Sequence, residues 1–255
     1  MIDETKVTKL IINNAVEELL NNLDVDVIIG GGGPSGLVAA KYLAEEGKEV
    51  VLFERKLSLG GGMWGGGMMF PKIVVQPEAE MIMNDFDISY KREEGQLVSS
   101  SIEAVSKLIA GAADAGCHLN NCISVEDVLI RKDKVCGVVI NWTPIEQTGL
   151  HVDPVAVKSK FVIEATGHPL EICKVVEEKT GDLNTATGKI MGERSMWAEK
   201  AESVVVKNTN EVYPGLYVCG MAANAVYGAP RMGPIFGGML LSGKHAAKSI
   251  IENSK

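Results

Sequence analysis

The sequence predicts an α/β fold organised around a parallel, Rossmann-like sheet, and three observations predict it. Residues 25–55, VDVIIGGGGPSGLVAAKYLAEEGKEVVLFER, read as strand, glycine turn, helix, turn and strand, a βαβ unit of about 30 residues. Within it GGGPSG, residues 31–36, sets Gly31, Gly33 and Gly36 at GxGxxG spacing between strand and helix. Two later apolar runs, KFVIEATGHP (residues 160–169) and GLYVCG (residues 215–220), each read as a buried strand opening into a glycine loop. With 255 residues and 46% hydrophobic content, the chain has enough apolar surface for a large core.

The other elements follow from periodicity. Residues 4–22 repeat Val7, Leu10, Ile11, Val16, Leu19 and Leu20 at helical spacing, which predicts an amphipathic helix packed ahead of the main fold. In SLGGGMWGGGMMF, residues 58–70, the large apolar side chains are badly placed for a solvated linker, which predicts a tight loop wrapped around something. Residues 101–115 read as a helix and 117–142 as a strand pair turning at Arg131 to Lys134. Residues 171–180 and 193–202 carry helical patterns, and the C-terminal segment reads as strand, long glycine and proline loop, and closing helix. No repeat or linker divides the chain. The organisation expected is a single composite dinucleotide-binding domain over residues 1–255, with an N-terminal helix (1–22), a βαβ nucleotide unit (24–55) and a metal, substrate and interface region (141–200).

Composition excludes several classes of partner. A formal charge of −8 and no basic stripe argue against nucleic acid and anionic membrane. No apolar run approaches the roughly 18 residues of a membrane span, and the N-terminus, with Asp3, Glu4, Lys6 and Lys9, is no signal peptide. Cys117, Cys122, Cys136, Cys173 and Cys219 are scattered without a CxxC pair, as small core residues in a reducing, cytoplasmic setting.

The glycines of residues 31–36 allow a pyrophosphate to approach backbone N–H groups at a helix N-terminus. Glu54, ending the second strand, can accept both hydroxyls of an adenosine ribose and disfavours a 2′-phosphate, so NAD is expected over NADP. Ser35 can donate to phosphate, and Arg55 can cover the adenine. Gly60 to Gly62 and the late strand-loop-helix resemble the two-dinucleotide-binding architecture of FAD oxidoreductases, so a flavoprotein is an open alternative.

A second set of residues is polar. If HVDP is extended, His151 and Asp153 at i and i+2 face one side, and Pro154 favours that extension. His168 follows the strand FVIEA at its carboxyl edge, where open α/β sheets bind ligands. Two imidazoles and a carboxylate suit Fe(II) and similar divalent metals. Spacing alone favours the plainer reading, an aspartate capping a turn beside a surface histidine. His118 and His245 fall at turn and helix positions and read as structural. Arg231, in GAPRMGPIFGG, is a planar donor fork among small residues and reads as a carboxylate anchor.

VIIGGGGPSGLVAAKYLA, VVLFERKLSLGGGMWGGGMMF, HVDP, EATGHP and APRMGPIFGGMLLSGKHAA together resemble the thiamine thiazole synthase family, in its archaeal sulfide-dependent branch, over residues 24–250. The resemblance implies an FAD/NAD(P)-binding, Rossmann-like fold of the two-dinucleotide-binding type with an inserted substrate and oligomerisation region. It implies a transferase for which NAD is a substrate: nicotinamide leaves, and the ADP-ribose part condenses with glycine and sulfide into an adenylated thiazole carboxylate. It also implies that Ser35, Glu54, Arg55, Gly62 and Val125 hold ADP-ribose, that His151, Val152, Asp153 and Met221 lie along the reacting part, and that Arg231 binds glycine. Asp153 and His168 become Fe(II) ligands from different subunits of a homo-oligomer, an octamer. Eukaryotic members carry a sulfur-donating cysteine where this chain has His151, so the sulfur here comes from outside, as sulfide, with His151 either a further ligand or a proton relay. An FAD-dependent oxidoreductase, a ribose-1,5-bisphosphate isomerase and a noncatalytic nucleotide-binding module stand as alternatives.

Overall fold

The structure, a computed structural model, describes residues 2–254. After helix α1 (Glu4–Asn21), the βαβ unit is formed by β1 (Asp24–Gly30), α2 (Pro34–Glu45) and β2 (Val50–Glu54). Strands β1 and β2 pair in parallel, from Val27 opposite Val50 to Gly30 opposite Phe53. A small antiparallel sheet follows, made of β3 (Lys72–Val75), β4 (Lys91–Glu93) and β5 (Gln96–Ser100) in the order β3-β5-β4, with α3 (Glu80–Asp85) inside the connection. Helix α4 (Ser101–Asp114) starts directly after β5, and the Ser100 hydroxyl caps it by accepting from the Glu103 N–H at 3.4 Å.

Strand β6 (His118–Asn121) then adds in parallel to β2. Cys122, at φ +57°, ends it, so that β7 (Ile123–Arg131) leaves in a new direction and returns as β8 (Lys134–Trp142). After α5 (Thr143–Thr148), β9 (Val155–Glu164) serves two neighbours in turn. Its first half pairs antiparallel with β8, and its second half pairs parallel with β1. Helices α6 (Glu171–Thr180) and α7 (Ala198–Asn208) lead to the hairpin β10 (Glu211–Tyr213) and β11 (Leu216–Val218), and β11 lies parallel to the end of β9. Helices α8 (Met221–Val226) and α9 (Gly237–Asn253) complete the described chain. The large sheet runs β10-β11-β9-β1-β2-β6, with β8 and β7 attached to the first half of β9.

Alternation along the strands divides the core between the two sheet faces. On one, Val27, Ile29 and Leu52 pack with Leu37, Leu43, Leu108 and Leu240 of α2, α4 and α9. On the other, Ile28, Val51 and Val162 pack with Val138, Ile172, Val176 and Val226. Both faces of β1 and β2 are therefore covered, which explains their unbroken apolar runs.

Several expectations need correcting. The helix placed over 193–202 begins at Ala198, because the backbone of residues 191–197 is engaged by residues 226–231: Arg194 N–H donates to the Ala229 carbonyl at 3.0 Å, and Trp197 N–H to that of Arg231 at 3.0 Å. Helix α1 forms, but none of its residues is buried, so it does not pack within this chain. Of the apolar residues in 58–70, Met63 is buried, whereas Met68, Met69 and Phe70 are 80%, 87% and 68% exposed; the loop borders a cleft through Gly61, Gly62 and Met63 but leaves those three exposed side chains to solvent. His118 opens a strand and is not in a turn, the 117–142 segment holds three strands because Cys122 breaks the first, and the late loop contains α8.

One buried acid organises the end of β9. Glu164 is fully buried and accepts from Thr166 N–H (2.8 Å), the Thr166 hydroxyl (2.6 Å), Ile172 N–H (2.8 Å) and Cys173 N–H (3.1 Å). Burial pushes its carboxyl up, while these donors pull it back. The last two are otherwise unpartnered donors of the α6 N-terminus, so Glu164 caps that helix and shapes the 165–170 loop. Glu164→Ala strands the two buried N–H donors of Ile172 and Cys173 and releases half-buried Thr166, and is expected to cost on the order of 3 kcal/mol, read as a lower urea midpoint at unchanged slope.

Candidate active site

A cleft of about 1100 Å³ opens at the carboxyl ends of β1, β9 and β11. The chain leaves β1 toward β2 on one side, while β9 lies on the other, so the cleft occupies a topological switch point, the ligand position of open α/β sheets.

The three motif glycines have separate physical roles. Gly31, at φ +104°, lies so close to the β9 loop that a Cβ would sit 2.4 Å from the Ala165 carbonyl oxygen. A Cβ on Gly36 would lie 2.2 Å from the Gly31 carbonyl oxygen, so α2 approaches the turn after β1 only because Gly36 has no side chain. Gly33 differs, since a Cβ there would meet nothing within 4 Å, yet it lines the cleft at the start of α2. The open space in front of it is a phosphate-sized approach to free helix N–H groups.

Around this cradle, Ser35, Glu54, Arg55, Gly62 and Val125 all line the cleft. Glu54 is 7% exposed; its carboxylate accepts from Gly32 N–H at 2.8 Å and Lys56 N–H at 2.9 Å, which aims it and leaves lone pairs for ribose hydroxyls. Arg55 is ion-paired with Glu171, whose carboxyl is pushed up by burial and drawn back by that guanidinium. The pair fixes Arg55 at one end of the cleft.

The opposite wall carries His168, Met221 and Arg231, as expected, and Glu193 and Arg194, which sequence reasoning missed. Arg231 N–H donates to the Arg194 carbonyl at 3.1 Å, so two guanidinium-bearing residues enter one wall on paired backbones. Lys56, Arg194 and Arg231 have no ion-pair partner among the described residues, which concentrates positive charge in the cleft of a chain of net charge −8. The only signal for Arg194 was GERSMW, an arginine two positions after a glycine, unremarkable without its pairing to residue 231. Glu164 had a clearer one, an acid inside the apolar run FVIEA.

His151, Val152 and Asp153 do not line the cleft; they are exposed and irregular, between α5 and β9. Asp153 precedes and His168 follows a strand of ten residues, which at about 3.3 Å each spans roughly 30 Å. The described residues of one chain contain no cluster of three His, Cys, Asp or Glu fit for a metal. His168 nevertheless fits a metal in its own right: its Nδ1 lies 2.9 Å from the Glu193 carboxylate, which leaves Nε2 as a donor. Together with an aspartate it is the N/O donor type that Fe(II) accepts.

Fold and cleft define an α/β protein of the FAD/NAD(P)-binding, Rossmann-like fold class, whose glycine turn, Glu54 carboxylate and Arg231 share one cavity. Residues 8–236 match the Thi4 family, and the chain belongs to that family. It is 56% identical to the thiamine thiazole synthase of Methanothermobacter thermautotrophicus, over 100% of this chain and 99% of that protein. The thiamine thiazole synthase of Pyrococcus furiosus is 51% identical over 99% and 98% of the two chains. The crystal structure of Thermovibrio ammonificans THI4 superposes with a TM-score of 0.98 at 44% identity, covering 100% and 99% of the two chains. Among the described residues no helix is long and apolar enough to cross a membrane.

The glycine geometry separates folding from binding. Gly36→Ala is expected to destabilise the chain by about 2 kcal/mol through overpacking, whereas Gly33→Ala leaves the urea midpoint unchanged and weakens NAD binding about tenfold or more by filling the phosphate approach. Denaturation and calorimetric titration of both variants check this.

Proposed function

We propose that this chain is a thiamine thiazole synthase that converts NAD, glycine and sulfide into adenosine diphosphate 5-(2-hydroxyethyl)-4-methylthiazole-2-carboxylate, releasing nicotinamide. The observation that carries the reading is the single cavity linking the dinucleotide cradle at Gly33 and Glu54 to the free guanidinium of Arg231. The adenosine ribose hydroxyls bind Glu54, the pyrophosphate meets Ser35 and the N–H groups at the start of α2, and Gly62, Val125 and Met221 flank the rest. Arg231 takes the glycine carboxylate and brings its amine to the ribose carbon next to the one that nicotinamide has left, the carbon that carries the ring nitrogen in the product. This pairing of two reactants in one cavity supplies the orientation on which condensation depends.

The sulfur comes from outside the protein. Where a sulfur-donating cysteine stands in eukaryotic family members, this chain has His151. Cys219 is the only cysteine lining the cleft among the described residues; it is 1% exposed, and burial, helped by the Glu164 charge, pushes its thiol well above the ordinary range. A thiol held protonated is a poor nucleophile and a poor leaving group. Repeated turnover with sulfide follows.

His168 of one subunit and Asp153 of another would hold Fe(II), which would supply Lewis acidity toward sulfide. Two chains are needed because the two residues stand at opposite ends of β9. An oligomer, an octamer in this reading, is supported by the apolar side chains left exposed near both ends: Leu150 and Val152 beside the HVD segment, and Met68, Met196 and Trp197 near the cleft. His151 ligates the metal or relays protons during dehydration.

Anaerobic incubation with NAD, glycine, sulfide and Fe(II) is expected to yield the adenylated thiazole in more than one equivalent per chain, followed by mass spectrometry. Free nicotinamide without thiazole, or a purified protein with flavin absorbance, would overturn the reading. His151→Cys is expected to give at most one equivalent of product without sulfide. Asp153→Ala and His168→Ala are each expected to lose Fe(II) in equilibrium dialysis while leaving NAD binding largely intact, because the adenosine and pyrophosphate contacts at Glu54, Ser35 and Gly33 are kept.

A further inference from the structure

We infer that Glu193 is a positioning residue that sets the orientation and tautomer of His168 for metal binding; this rests on the reading of His168 as an Fe(II) ligand. The two side chains come from separate segments and meet at His168 Nδ1 and Glu193 Oε2, 2.9 Å apart. A carboxylate only accepts, so Nδ1 carries the proton and the Nε2 lone pair is left bare. Imidazole ligands of metals are held in this manner by an outer carboxylate, which fixes the ring and raises its basicity.

Both partners are delivered by constrained backbone. His168 sits in the 165–170 loop, whose first residues are tied to the sheet by Ala165 N–H to the Gly30 carbonyl (2.8 Å) and by Thr166 to Glu164. Glu193 sits in an extended segment held on each side, by Met191 N–H to the Val226 carbonyl (2.9 Å) and Arg194 N–H to the Ala229 carbonyl (3.0 Å). The Glu193 side chain is 23% exposed and that of His168 is 45% exposed, so the contact is partly shielded from water while the ring stays accessible. The same extended segment pairs with Arg231, which takes glycine in the proposed reaction. One strap therefore sets both the imidazole and the carboxylate anchor.

The test measures metal binding by the intact oligomer, with Fe(II) added alone under anaerobic conditions and with Co(II) as a spectroscopic probe. Glu193→Ala is expected to weaken Fe(II) binding about 10- to 100-fold and to shift the visible ligand-field bands of the Co(II) form, with NAD affinity unchanged. In Glu193→Gln the amide oxygen still accepts from Nδ1, so affinity and bands return close to the wild-type values. Unchanged Fe(II) affinity in Glu193→Ala overturns the inference. So does Glu193→Gln failing as badly as Glu193→Ala, which would make the carboxylate charge or direct ligation the operative property. His168→Ala separates the two levels: if it binds Fe(II) normally, the ligand assignment itself fails; if it loses Fe(II) while Glu193→Ala does not, only the positioning role fails.

Discussion

The site depends on how closely the ends of β1 and β9 approach one another. Gly31 and the Ala165–Thr166 backbone are in contact where no side chain fits, and α2 presses on the same point through Gly36. This contact brings the nucleotide turn and the His168 loop to one crevice. Remove the contact and the cradle and the imidazole belong to different surfaces. Glu164 secures the other side, since its four accepted hydrogen bonds set the direction in which the chain leaves β9 and start α6.

From that junction the chemistry divides by element. The βαβ unit supplies what any dinucleotide requires: free helix N–H groups, a glycine with open space in front of it, and an acid aimed by two backbone donors. The far wall adds Arg231 and Arg194 on hydrogen-bonded backbone segments and His168 in contact with Glu193. Cys219 is present in the cleft but buried, and that burial pushes its thiol well above the ordinary range.

Legibility in the sequence followed the range of the interactions. The βαβ unit and the helix over 101–114 were readable because their signals, glycine spacing and apolar period, are local. The small sheet of β3, β4 and β5 went unread because its strands are only three to five residues long, too short to show a period. The helix over 193–202 was misplaced because the pattern of those residues is helical, yet their backbone groups are taken by residues 226–231. Glu193 and Arg194 went unseen for the same reason: their partners lie 25 and 37 positions away along the chain, at His168 and Arg231.

By itself the sequence determined the fold class and the glycine turn of Gly31, Gly33 and Gly36 between β1 and α2. Each of these is written in residue type at short range, where backbone geometry follows directly from composition. Only the tertiary structure decided that Asp153 and His168 stand at opposite ends of a ten-residue strand. It also decided that His168 is oriented by Glu193 and that α1 has no packing partner in its own chain. Such facts depend on where distant segments meet in space, and side-chain spacing along a chain carries no measure of that distance.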